Sequence, residues 1–192
     1  MTTLEDLLVE QVRDLYDAEK QLVRALPKIA RAANSEELQD AIQSHLEETK
    51  NQVARLERVF EELDKPAKGT PCKGMRGLVE EGSEALDEAS DDPLSDLAII
   101  AAAQRVEHYE ISGYGTARAI AKQLGRDTIA TLLEETEEEE KAADSKLTEI
   151  AMGLLGQSQE GQEDAQETDE EETSRPRKSA QPVTRSRRAA RG

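Results

Sequence analysis

Four helix-length stretches of this chain carry carboxylates where a helix packed against its neighbours would carry leucine. They are Glu19; His45 with Glu48; Glu107 with Glu110; and Glu139 beside Glu140. Taking an ionised carboxylate out of water is strongly unfavourable unless a positive charge compensates it. A set converging from four helices therefore points to bound metal. Carboxylate oxygens with an occasional imidazole suit Fe or Mn, whereas zinc favours sulfur and nitrogen. Carboxylates can also bridge two ions about 3.5–4 Å apart, a pair suited to two-electron chemistry with oxygen or peroxide. The expected cofactor is two Fe or Mn ions, with Fe(II), oxygen or peroxide as small-molecule partners.

Register decides whether these acids point inward. Glu19 lies four residues after Leu15 and three before Leu22, on the apolar stripe of its helix. His45, Glu48 and Gln52 share one face, and Ile100, Glu107, Glu110 and Tyr114 follow one seam. Aligning Glu48 with Glu139 places Leu38, Ala41, Ile42 and Leu56 over Ile129, Leu132, Leu133 and Leu147. Glu139 is accordingly the expected inward carboxylate, with Glu140 the alternative. Glu19 aligns over Glu110 in the same way, so the chain reads as two related hairpins. Tyr16, Tyr109 and Tyr114 lie near the same level and could hydrogen-bond the ligands, Tyr16 and Tyr114 from one turn away. With 42 Asp and Glu among 192 residues, single acids will fall on apolar stripes by chance. Four at corresponding depths is the informative pattern.

The elements that must position these groups are all helical. Leu4, Leu8, Val12, Leu15, Leu22, Leu26 and Ile29 recur at three- and four-residue spacings over about Thr3 to Ala33. Thr3 and Asp6 form a capping-box-like start, and Pro27 is expected to kink the helix or end it early. A second helix opens at Asn34 or Ser35 and runs to about Leu63. The Pro/Gly-containing linker from Asp64 to Arg76 follows, then a short amphipathic piece from about Gly77 to Ala89, and SDDP caps the next helix. The third long helix spans about Leu94 to Leu124, with Gly125 as its C-cap. The fourth runs from about Asp127 to Leu155, closed by Gly156. Short turns join helices one to two and three to four, while about thirty residues join two to three. Two antiparallel hairpins with one long crossover make an all-α, ferritin-like four-helix bundle over residues 1–156.

Residues 157–173 hold eight Asp or Glu, and residues 174–192 hold seven Arg or Lys and two prolines. Neither half offers enough apolar surface to fold, so a disordered tail is expected over 157–192. The formal net charge of −17 argues against nucleic acid as a partner of the bundle. The basic tail, with Arg185, Arg187, Arg188 and Arg191, could touch nucleic acid or fold back on the acidic bundle. No apolar run approaches the roughly 20 residues needed to span a bilayer. The N-terminus is acidic and lacks the features of a signal peptide, so the expected location is the cytoplasm. Cys72, the single cysteine, sits among Lys68, Lys73 and Arg76, which would lower its pKa, and reads as an incidental surface thiol. Glycine-rich phosphate loops, Ser/His/Asp arrangements and CxxC pairs are missing from the sequence.

At LYDAEKQL (Leu15 to Leu22), HLEETKNQVARLE (His45 to Glu57), VEHYEISGYGTA (Val106 to Ala117) and LLEETEEEEKAADSKL (Leu132 to Leu147), the chain resembles the YciE/YciF stress-protein family. The resemblance covers about Thr3 to Leu155 and includes KGTPCKGMRGLVEEGSEAL in the crossover. It implies a ferritin-like bundle, usually dimeric, with a dinuclear metal site and an activity labelled ferroxidase by analogy. Carried over by position, Glu19, Glu48, Glu107, Glu110 and Glu139 are the implied ligands, His45 a further candidate, and Asp144 a ligand or its support. The sequence departs from the usual di-iron pattern of Glu-x-x-His on helices two and four. Helix two reads His45-x-x-Glu48, position 51 is Asn51, and helix four has no histidine.

Two functional readings follow. In the first, a dinuclear Fe or Mn site in the bundle performs ferroxidase-type chemistry and protects the cell under stress. In the second, a dimeric bundle is a non-catalytic binding or structural protein whose tail recruits a partner. Storage in a large cage is a third option, for which the acidic surface and long charged tail give no sign of cage contacts.

Overall fold

The computed structural model describes residues 2–87 and 93–174, with side chains described up to residue 156 apart from those of 85, 87 and 93. Among these residues the protein is all-α, with five helices: α1 (Leu4–Ala32), α2 (Glu36–Glu62), α3 (Lys73–Asp87), α4 (Pro93–Gln123) and α5 (Asp127–Ser174). The chain divides into two units, Met1–Gly156 and Gln157–Gly192. The site lies in the first.

Local chemistry sets most boundaries. Thr3 Oγ1 accepts from Asp6 N at 3.0 Å while Asp6 Oδ2 accepts from Thr3 N at 3.1 Å, a complete capping box for α1. Of the two outcomes expected of Pro27, early termination does not occur: α1 runs on to Ala32. Leu26 and Ala30 on either side of it are buried, so packing outweighs the one backbone hydrogen bond that proline removes. α4 ends in a Schellman motif: Gly125 at φ 68° donates to Lys122 O, and Arg126 N reaches back to Ala121 O at 2.9 Å.

Side-chain contacts give the helix directions. Tyr16 meets Glu57, so α1 and α2 form an antiparallel hairpin. Gln104 meets Asp144 and Thr148 while Arg118 meets Glu134 and Glu137, so α4 and α5 form another. Across the hairpins, α1 runs antiparallel to α4 (Tyr114 on Glu19, Arg126 on Glu5), and α2 antiparallel to α5 (Arg55 on Glu139, Lys146 on Glu37). α2 and α4 therefore point the same way, which requires a connection that returns along the bundle.

That connection docks on α1. Thr70 N donates to Arg13 O at 3.1 Å, Cys72 N to Asp17 Oδ2 at 2.8 Å, and Gln21 Nε2 to Cys72 O at 3.0 Å. α3 starts four residues earlier than the sequence pattern suggested; Ala89 and the SDDP residues Ser90, Asp91 and Asp92 lie outside the described residues. The core is in two apolar clusters. One gathers residues such as Leu8, Phe60, Ala121 and Ile129; the other gathers Leu26, Leu38, Ile99 and Ile150. Each holds on the order of fifteen buried side chains, which at about 1.5–3 kcal/mol per large apolar residue dominates stability. The polar site occupies the layer between them.

α5 departs from expectation by continuing past Gly156 to Ser174. The acidic stretch lacks an apolar stripe, but Glu, Gln and Ala are strong helix formers and no proline interrupts them before Pro176. A stretch too polar to pack can still be helical, because helix formation needs only local hydrogen bonds. Residues 175–192, the basic half of the expected tail, lie outside the described residues. Among the described residues, no helix is long and apolar enough to cross a membrane.

Candidate metal centre

Between the two apolar clusters, five ionisable side chains from four helices converge in the interior. Glu19, Glu110 and Glu140 are fully buried, and Glu107 and His45 nearly so. His45, Glu107, Glu110 and Glu140 each present one ligand-type atom, all within 4.8 Å of one another. Glu19 joins them from α1, its Oε1 accepting a hydrogen bond from the Tyr114 hydroxyl. Helix periodicity explains the convergence. On α4, Glu107, Glu110 and Tyr114 follow three- and four-residue steps, and on α2 the same steps link His45, Thr49, Gln52 and Leu56, all buried.

Most of these acids lack partners. Glu19 Oε2, Glu107 Oε2, both oxygens of Glu110 and both of Glu140 are buried without a hydrogen bond. Such orphaned acceptors are rare and costly in folded interiors. His45 is the cation among them. Its Nε2 lies 3.5 Å from Glu107 Oε1 and 3.8 Å from Glu140 Oε2, and its Nδ1 lies 3.5 Å from Glu48 Oε2 without hydrogen-bond geometry.

Electrostatics follow from burial. Desolvation pushes Glu107 and Glu110 well above the carboxylate range, reinforced for Glu110 by the charges of Glu19, Glu140 and Glu107. Glu19 rises to about 8 through desolvation, partly offset by the Tyr114 hydrogen bond, and Glu140 rises to about 7. For His45, burial disfavours the charge, yet Glu107, Glu48, Glu140 and Glu19 outweigh it and raise the ring to about 10. With no metal ion bound, the layer holds extra protons on acids around one imidazolium.

The sequence-derived candidates divide. Glu19, His45, Glu107 and Glu110 come together. Glu139 does not: it is a third exposed and held by Arg55, with Nη1 to Oε2 at 2.7 Å and Nη2 to Oε1 at 2.8 Å, and by Gln52 at 3.1 Å. Its carboxyl stays below the usual range, because Arg55 and Gln52 outweigh a desolvation penalty. Glu140 takes the inward position. Glu48 lies at the edge, 45% exposed, beside His45. Asp144 accepts from Gln104 Nε2 at 3.0 Å and lies 3.5 Å from His108, outside the converging group.

The tyrosines divide too. Tyr114 is fully buried on Glu19, whereas Tyr16 turns away, donating to Glu57 at 2.8 Å and packing edge-on against Phe60. Tyr109 donates to Asp14 Oδ2 at 2.5 Å and lies 2.9 Å from Cys72 Sγ. Cys72 is thereby a buried thiol rather than a surface one. Desolvation raises its pKa in spite of the basic residues near it in sequence. Arg55, Thr49 and Asp14 escaped the sequence reading. For Arg55 the signal was its position three after Gln52 on the same face.

The chain is 47% identical over 161 residues to Protein YciF of Escherichia coli, covering 83% of this chain and 97% of that one. The family described as "Domain of unknown function (DUF892)" matches residues 3–160. The chain belongs to the YciE/YciF family. The crystal structure of the E. coli stress protein YciF superposes with a TM-score of 0.79 at 46% identity, covering 81% of this chain and 99% of that one. YcfI of Rhodopseudomonas palustris, for which a structural role has been suggested, gives a TM-score of 0.74 at 44% identity over 77% and 94% of the two chains. A Xanthomonas campestris protein shares the fold alone, with a TM-score of 0.63 at 22% identity over 84% and 99%. The family match spans the four helices that carry the buried acids and His45.

Proposed function

We propose that this stress-protein relative is a ferritin-like metalloprotein whose buried layer holds Fe or Mn and oxidises Fe(II) in a ferroxidase-type reaction. The observation that carries the reading is the set of orphaned buried carboxylate oxygens converging from α1, α4 and α5. The antiparallel pairing of neighbouring helices, with α2 and α4 parallel across the long connection, supports the ferritin-like arrangement.

The donor set fits the group. Glu107, Glu110, Glu140 and His45 would hold the first metal, and Glu19 with its free Oε2 would extend the site toward a second. Bound metal supplies Lewis-acid and redox chemistry toward oxygen or peroxide. Tyr114 holds the Glu19 carboxylate in place by its hydroxyl, leaving the other oxygen free. Arg55 keeps Glu139 away from the layer. Glu48 stands where it can relay a proton between His45 and solvent. The apolar clusters above and below keep bulk water from the reacting groups.

The experiment is an anaerobic Fe(II) titration of the chelated full-length protein, followed by exposure to air. Saturable binding near two equivalents per chain with Fe-dependent oxygen uptake is expected; absence of both overturns the reading. A second reading is favoured by His45. A cation raised to about 10 among protonated acids lets the layer compensate itself without metal, as a non-catalytic binding or structural bundle would. Metal-free protein that shows no gain in thermal stability with Fe(II) or Mn(II) selects that alternative.

A further inference from the structure

A groove opens from the candidate metal centre to the surface between α2 and α5, enclosing about 490 Å³. Small-molecule pockets span roughly 300–1,000 Å³. Leu22, Leu26, Ile42, Val106 and Leu147 form its walls, and His45 and Glu107 lie among its lining. We infer that this groove binds an uncharged, largely apolar small molecule bearing a hydroxyl group, with the hydroxyl on His45 and Glu107 and the apolar body along the walls. The inference deepens the metalloprotein reading, on which it rests for the idea that the bound molecule is presented to the centre as a substrate.

Three observations select that chemistry. First, Glu107 Oε2 and His45 Nδ1 are buried polar atoms without a hydrogen bond, on residues more than nine-tenths buried. A hydroxyl both donates and accepts, so it can pair with the Glu107 oxygen and the His45 ring nitrogen where a hydrocarbon would leave them orphaned. Second, apolar walls are poor surroundings for a hydrated cation, so the groove is ill-suited as an ion channel. Third, the rim carries Glu37, Asp40, Glu48 and Glu139 against Lys146. Lys146 already contacts Glu37 at 2.7 Å and Glu149 at 3.2 Å. An anionic head, such as a fatty-acid carboxylate, would be repelled at the mouth. Space comes from small side chains: Ala41, Ala103 and Ala143 line the groove where larger residues would fill it.

The test uses the full-length protein as purified and after chelation, with 1-octanol and octanoate as probes in calorimetric titrations. Saturable octanol binding is expected, with octanoate at least about tenfold weaker. Ala143→Phe, or Ala41→Leu should the first variant fold poorly by circular dichroism, is expected to weaken octanol by about tenfold or more, since it displaces the apolar body. Iron binding should persist in the plugged variants. Octanol that does not saturate, octanoate that binds equally well, or variants that bind as the parent does would each overturn the proposal. So would octanol binding that disappears as the protein self-associates, because a second copy would then cover the groove. Fe(II) stoichiometry on the same samples separates the two readings. Octanol binding without iron binding sinks the metal centre and leaves the pocket, and the reverse sinks only the pocket.

Discussion

Glu139 and Glu140 are chain neighbours in opposite environments. The first is paired with Arg55 near solvent, and the second is buried with both oxygens unsatisfied. Their substitutions should therefore separate. Glu140→Ala is expected to weaken Fe(II) or Mn(II) binding by more than about tenfold, as loss of a metal-site group does. Glu139→Ala should leave metal affinity within a few-fold while lowering stability by about 0.5–1 kcal/mol, the worth of a partly exposed ion pair. Metal titration and urea denaturation on both variants check the pair; equal metal affinities would mean that Glu140 is no ligand. Tyr114→Phe removes the hydrogen bond that the Glu19 side chain accepts, its other oxygen being unpaired. It should destabilise the metal-free protein by about 1–3 kcal/mol, the cost of an unmet buried acceptor, and by less once metal holds Glu19. Denaturant midpoints with and without metal read that difference.

At the scale of elements, the start of α2 depends on a residue far away in sequence. Asp96 on α4 is buried, and its two oxygens accept from Asn34 N and Ser35 N, each at 2.8 Å. Ser35 Oγ adds a weak cap to Leu38 N at 3.5 Å. The α1–α2 turn is thus tied to α4 by a carboxylate over the N-terminus of α2, where the helix dipole also favours negative charge. Asp96→Ala is expected to lower stability by about 2–3 kcal/mol, from two charge-assisted hydrogen bonds. Ser35→Ala should cost about 1 kcal/mol or less. Thermal melts rank the two, and a larger loss from Ser35 would reverse the assignment of the main cap. The crossover docks similarly, through Asp17 and Gln21 of α1.

For the molecule as a whole, the buried layer makes stability depend on pH with a sign set by metal. Glu19, Glu107, Glu110 and Glu140 have folded pKa values raised above their unfolded ones, and so does His45. For each, the stabilising contribution is full below the unfolded pKa and is lost as pH rises through the folded value. Metal-free protein should therefore lose stability steadily from about pH 5 to 8, as the unfolded acids release protons that the folded ones keep. Asp6, Glu137 and Glu139 are shifted downward and are ionised in both states over that window, so they add no slope. Bound metal requires the deprotonated forms, and its binding releases protons. Metal-loaded protein should gain melting temperature over the same range. Melting curves at four pH values, with chelator and with Mn(II), test this inversion; parallel curves would show that the acids bind no metal.

Much of the arrangement was legible in the chain itself. Three- and four-residue apolar spacings fix the long helices, connection lengths fix which pairs are hairpins, and Glu19, Glu107 and Glu110 stand on their seams because helical periodicity is local. The alignment of α2 with α5 was also sound in register. His45 lies over Thr136 and Thr49 over Glu140, and all four are buried. Its misreading came from taking Glu48 as inward, which carried Glu139 with it. Two adjacent glutamates differ by about 100° around a helix, and only the placement of Arg55 on the facing helix decides which one turns to the core. Cys72 and Asp96 illustrate the same limit. Their burial is created by segments distant in sequence, so the charge of near neighbours says little about them. Local spacing determines what a helix presents, whereas the angle at which its neighbours meet it determines which of those groups leave water.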